Sequence, residues 1–172
     1  MGLDPGIDHM SAMKLIDDVR AQGGKLTSFI SWCGGLPAPE CSDVPLGYKF
    51  SWSPRGVLTA ALNSAIFKLN GEQYEVDGSR LLQSTFKDVP IYPGFALEGL
   101  PNRNSLSYVD EYKLGSLDNL DTMFRGTLRY KVCHSWLVFH EILLGILNFD
   151  VSACSAWILG SQNGKNIVYF LE

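Results

Sequence analysis

The sequence predicts an α/β (α+β) domain, and three observations carry that expectation. A helix-period run of apolar residues passes directly into a β-rich segment, an Asn-Gly pair separates two short β-prone stretches, and a last alternating stretch ends at Tyr130. With 172 residues, 46% of them hydrophobic, the chain can bury one sizeable core, so one domain is the default.

Taken in order, Ile7, Met10, Met13, Leu15, Ile16 and Val19 recur at helical spacing and predict a helix over 7–22 that stops at Gly23-Gly24. Residues 25–33 alternate Leu26, Phe29, Ser31 and Cys33 with more polar neighbours and predict a strand entering the core. From Gly34 to Pro54 glycine and proline dominate, which predicts a long loop broken by the short segment Tyr48-Lys49-Phe50-Ser51-Trp52. Pro54 is suited to the first turn of a helix running to Leu62. A hairpin follows, with strands over 65–69 and 73–76 joined through Asn70-Gly71. Residues 79–84 read as one or two helical turns, 89–95 and on to Leu100 as extended, 107–112 as a short helix and 122–130 as a closing strand.

Composition removes several classes of function. Fourteen Lys and Arg against eighteen Asp and Glu leave a formal charge of -4, so there is no basic excess to bind a phosphate backbone or an anionic membrane. The four cysteines (Cys33, Cys41, Cys133, Cys154) form no C-x-x-C pair, which speaks against a zinc ribbon. Met1-Gly2-Leu3-Asp4 lacks the basic-then-apolar order of a secretion signal, so reduced thiols and a cytoplasmic location are expected. The run Trp136–Leu147 carries His140, Glu141 and Gly145 and falls short of the ~20 residues that span a bilayer, so it reads as a buried or docking helix.

Chemistry has four candidate places. In Asp4-Pro5-Gly6-Ile7-Asp8-His9 a glycine turn opens a helix, whose N–H groups can face an anion, or else Asp4 or Asp8 simply caps it. Trp32-Cys33-Gly34-Gly35-Leu36-Pro37-Ala38-Pro39-Glu40 leads a strand into a glycine-rich loop where a ligand can approach the backbone. Alone, Cys33 reads better as a small buried hydrophobe. Arg103, in Pro101-Asn102-Arg103-Asn104, and Arg125 and Arg129, in Phe124-Arg125-Gly126-Thr127-Leu128-Arg129-Tyr130, can each fork onto a carboxylate.

Those segments, with Pro45-Leu46-Gly47-Tyr48-Lys49-Phe50-Ser51-Trp52-Ser53 between them, stand in an order that resembles the saccharopine reductases, the NADP-dependent, glutamate-forming saccharopine dehydrogenases, above all their fungal form. The resemblance covers roughly residues 2–131. It implies a mixed β-sheet with helices on one face, the second, substrate-binding and dimerising domain of enzymes whose other domain is a Rossmann fold. No glycine fingerprint follows a strand here, so that nucleotide-binding half is expected to be missing. Val44 and Asn104 depart from the family, which tends to have Asn and Asp there. The family pattern also stops at Lys131, and 132–172 reads as an atypical tail. Val132-Cys133 can be encoded by a fungal splice-donor sequence, which makes translated intron one hypothesis for its origin.

The reaction the resemblance implies joins aminoadipate semialdehyde and glutamate as an imine, reduced by hydride from NADPH to saccharopine, in lysine biosynthesis. A ligand with three carboxylates calls for arginines. Arg103 is carried over as the clamp, with Arg125, Gly126 and Thr127 as a second substrate strip. Asp4 is expected to hold a substrate ammonium or relay a proton. Leu3, Asp4, Pro5 and Ser53 are expected to touch NADP, most of which the Rossmann half would bind. Cys33 is placed near the reacting atoms in a packing or proton-shuttling role. The implied partners are saccharopine, glutamate, aminoadipate semialdehyde and a second copy in a homodimer; no metal, nucleic acid or membrane is expected. A second class of function is an inactive remnant kept as a binding or dimerisation module. A third, a cysteine hydrolase built on Cys33 with His9 or His134, lacks any accompanying signature.

Overall fold

The computed structural model describes residues 2–43, 48–50, 53–60, 62–87, 89, 93–131 and 166–171. Helix α1 spans Ile7–Ala21, within a residue of its expected limits, and buries Asp8, Ala12 and Ile16, one stripe at four-residue spacing. Strand β1 spans Ser28–Pro37 and so runs four residues into the segment where a loop was expected. Pairing is the reason. Residues 28–33 lie parallel to strand β5 (Thr122–Tyr130), and residues 32–37 lie antiparallel to strand β6 (Asn166–Leu171). Backbone hydrogen bonds from a neighbour on one side or the other hold the glycines extended, against their local preference for turns.

Helix α2 spans Pro54–Ala60. The hairpin forms as expected, from β2 (Ala65–Leu69) and β3 (Glu72–Val76), with Asn70 and Gly71 at φ of 50 and 86, the left-handed pair that a two-residue turn requires. A 3-10 helix covers Gly78–Gln83, another Pro93–Phe95, and strand β4 covers Leu97–Pro101. The extended run expected from residue 89 therefore begins only at Leu97; residues 90–92 lie outside the described residues. Helix α3 is a single turn, Tyr108–Glu111. The apolar run 136–147 also lies outside the described residues.

The six strands among the described residues make one mixed sheet in the order β3-β2-β5-β1-β6, with β4 on β5 beside β2. Strand β5 is central: β1 lines one edge, while β2 at Met123 and β4 along residues 126–130 share the other. Its alternating side chains feed two cores. Met123, fully buried, joins Ala12 and Ile16 of α1, Phe29, Leu120, and Val109 and Tyr112 at α3. Phe124, on the opposite face, joins Ala65, Phe67 and Leu81, with Trp32 and Phe86 against them. Helices α1 and α3 thus share one face, and an aromatic cluster with one 3-10 helix covers the other. Each fully buried side chain of this size contributes about 1.5–3 kcal/mol.

Candidate functional site

The site is built where the turn before α1 meets the helical face of β5. Along α1 the buried stripe starts with a carboxylate: Asp8 is 4% exposed, one turn before Ala12. A buried anion needs a cation, and β5 supplies it. Arg125, also 4% exposed, donates from one terminal nitrogen to Asp8 Oδ2 at 2.6 Å and to Asp4 Oδ1 at 3.2 Å. The guanidinium carbon lies 3.9 Å from the centre of the Tyr108 ring. Burial works against the Arg125 charge, but Asp4 and the phenols of Tyr108 and Tyr112 outweigh it and raise the pKa above its ordinary value. The backbone locks the same point. Arg125 N–H donates to Ser105 Oγ at 2.9 Å, and Asn102 N–H donates to the Arg125 carbonyl at 2.9 Å.

Asp4 is therefore held from two sides, since its Oδ2 accepts from Asn102 Nδ2 at 3.0 Å. Its turn is tied down as well: Ile7 N–H donates to the Gly2 carbonyl and Asp8 N–H to that of Leu3, both at 3.1 Å. Asp8 Oδ1 accepts from Gly6 N–H at 2.9 Å. These bonds overturn two expectations. The N–H groups of residues 6–8 are already engaged, so no anion cradle opens there, and neither aspartate caps α1 from the N-cap position, which is Gly6. Beside them His9 Nδ1 lies 2.7 Å from Tyr112 Oη, and the His9 ring stacks on Tyr108 at 5.4 Å. Asp4, Asp8 and His9 offer metal-ligand atoms within 4.8 Å of one another, but both carboxylates already sit on Arg125.

The other expected site residues divide. Cys33 stands opposite Thr127 in the β1–β5 register, on the face that also carries Arg125. Burial, then Asp4 and Asp8, push its thiol up to about 12 against the pull of Arg125 and Arg129. The sulfur stays protonated at neutral pH, which leaves the cysteine-hydrolase reading without a thiolate. Gly126 lies on the opposite face: a Cβ there, as at Gly99, would come within 2.2 Å of the Trp32 ring, so both glycines make room for the indole. Arg103 is exposed at the turn after β4, at φ 47, next in sequence to Asn102, which bonds Asp4. Ser53 is exposed and its Oγ accepts from Gly56 N–H at 3.1 Å, capping α2.

A family model described as the saccharopine dehydrogenase C-terminal domain matches residues 2–169. The chain belongs to that family. Among its relatives, the saccharopine dehydrogenase [NADP(+), L-glutamate-forming] of Pyricularia oryzae is 54% identical over 131 residues, which are 76% of this chain and 28% of that protein. The protein of the same name from Schizosaccharomyces pombe is 53% identical over the same shares. The apo structure of saccharopine dehydrogenase (L-Glu forming) from Saccharomyces cerevisiae superposes with a TM-score of 0.70 at 50% identity, over 80% of this chain and 30% of that one. The chain thus spans little more than a quarter of the length of these curated relatives.

Sequence reasoning about this saccharopine dehydrogenase C-terminal domain missed three parts of the site. The sequence marks Asp8 as no more than a cap at the helix start, and gives Asn102 and Ser105 no role. A signal for Asp8 was present: an acid in register with Ala12 and Ile16 on the buried face of a helix requires a cation from elsewhere. Nothing local marks Ser105, which is fully buried and matters only because β5 passes it.

Proposed function

We propose that this chain is the substrate-binding part of an NADP-dependent saccharopine dehydrogenase, in which saccharopine, NADP and water give glutamate, aminoadipate semialdehyde and NADPH. One observation carries the reading: Asp4 is fixed by Arg125 and Asn102, next in sequence to an exposed arginine, Arg103. A carboxylate held still, with an exposed arginine one residue from its Asn102 anchor, suits an amino-dicarboxylate, whose ammonium goes to the acid and whose carboxylate goes to the arginine. In the reaction Asp4 holds the substrate nitrogen or takes its proton, and Arg103 clamps a carboxylate. Thr127 is half-buried on the same face as Cys33.

Arg125 takes a different part from the one expected of it. Its guanidinium is buried on two aspartates, so it positions Asp4 and does not fork onto substrate. When bound, NADP would accept the hydride, and NADPH would supply it in the reverse direction. Among the described residues, though, nothing cradles a dinucleotide: Leu3, Asp4 and Pro5 form one tight turn, and the Ser53 hydroxyl already caps a helix. No step is therefore assigned to the cofactor on this chain, and its binding is left to the part of the longer relatives beyond these residues.

Titration calorimetry with L-saccharopine tests the proposal. Arg103→Ala should weaken binding by about 2 kcal/mol, roughly 30-fold, the cost of losing a charge-assisted pair. An unchanged dissociation constant would place the clamp elsewhere.

A further inference from the structure

Farther along the same face, Glu98 of β4 and Arg129 of β5 stand opposite one another in the antiparallel register. Directly paired residues project from the same side of a sheet, here the side of Thr127 and Cys33. Yet they do not pair with each other. Arg129 donates to the Leu128 carbonyl at 2.7 Å and lies over the Tyr48 ring, 5.0 Å from its centre. Glu98 is 8% exposed, and its Oε2 is buried with no hydrogen-bond partner among the described residues. A buried carboxylate oxygen without a donor is costly, and a cation from outside the chain relieves it.

An acid and an arginine side by side on one wall, neither in an ion pair among the described residues, are complementary to a zwitterion. We propose that Glu98 and Arg129 receive the α-amino-acid head group at the aminoadipate end of saccharopine, Glu98 taking the ammonium and Arg129 the carboxylate. This rests on the function proposed above and names the second end of its site. Four residues of strand separate Arg129 from Arg125, about 13 Å, so an extended ligand with carboxylates at both ends can reach from Asp4 to Glu98.

The test uses the 172-residue chain carrying 13C at the glutamate carboxyls, with the Glu98 signal assigned through its own backbone connectivity. L-saccharopine and L-2-aminoadipate should both move that signal, and adipate, which lacks the ammonium, should leave it in place. Glu98→Gln should weaken both amino acids about ten-fold or more, the worth of one charge-assisted hydrogen bond, and leave adipate binding unchanged. Saccharopine binding with a stationary Glu98 signal would overturn the proposal, as would silence of that signal toward both amino acids. A response to aminoadipate without any binding of saccharopine would uphold the head-group site and sink the saccharopine reading instead.

Discussion

Asp8 does more for the site than any residue the motifs had singled out for catalysis. It neutralises a buried guanidinium, and that guanidinium in turn fixes Asp4. Replacing it with asparagine keeps the shape and removes the charge, leaving Arg125 with a single, partly exposed counter-ion. Asp8→Asn should cost about 3 kcal/mol of stability, the scale for breaking a buried pair, measured as a shift of the urea midpoint. A variant as stable as the parent would show that Asp4 alone suffices. Cys33 gives a prediction in pH. Its folded pKa of about 12 lies above the ordinary 9.0, so the folded state holds a proton that the unfolded state releases. Stability from this group is full below pH 9 and is lost as pH rises toward 12. Thermal melts of Cys33→Ala should show a shallower alkaline decline than the parent; equal slopes would assign the decline to other groups.

At the scale of elements, the contact between Trp32 and the two glycines joins three strands. The indole of β1 lies over Gly126 of β5 and Gly99 of β4, where any Cβ collides with the ring. Gly126→Ala should therefore destabilise by about 1–3 kcal/mol through overpacking, read from denaturant unfolding. A neutral result would mean that the ring slides aside freely. The tail poses the larger question. The sequence sets 132–172 apart as an atypical tail, whereas its end, β6, pairs with β1 from Trp32 to Pro37 and the family model runs to residue 169. Deleting 132–172 should bare that edge, lower the melting temperature and increase aggregation. A truncated chain that melts as high and stays monodisperse would show that the tail adds nothing to the fold.

For the molecule as a whole, the decisive fact is how little of the relatives' length it spans, 28% in the fungal proteins. A binding face whose described residues form no dinucleotide cradle should bind saccharopine and turn nothing over. The purified chain is expected to show no saccharopine-dependent reduction of NADP by absorbance, and measurable turnover would mean that the described residues understate its cofactor contacts.

What the sequence determined by itself was whatever local chemistry controls. Helical spacing placed α1 to within a residue, Asn70-Gly71 placed the hairpin, and the alternation of 122–130 placed the central strand, because each signal lies within one turn or one strand. Tertiary structure alone decided the rest. Strand β1 runs on through Gly34 and Gly35 because neighbours far away in sequence pair with it. The Arg125 cation is buried between Asp4 and Asp8, more than a hundred residues earlier, so its partners appear only when β5 passes under α1. Spacing along the chain shows which groups can carry charge. Where each charge is spent depends on which groups the sheet buries together, since only burial makes an unpaired ion too costly to keep.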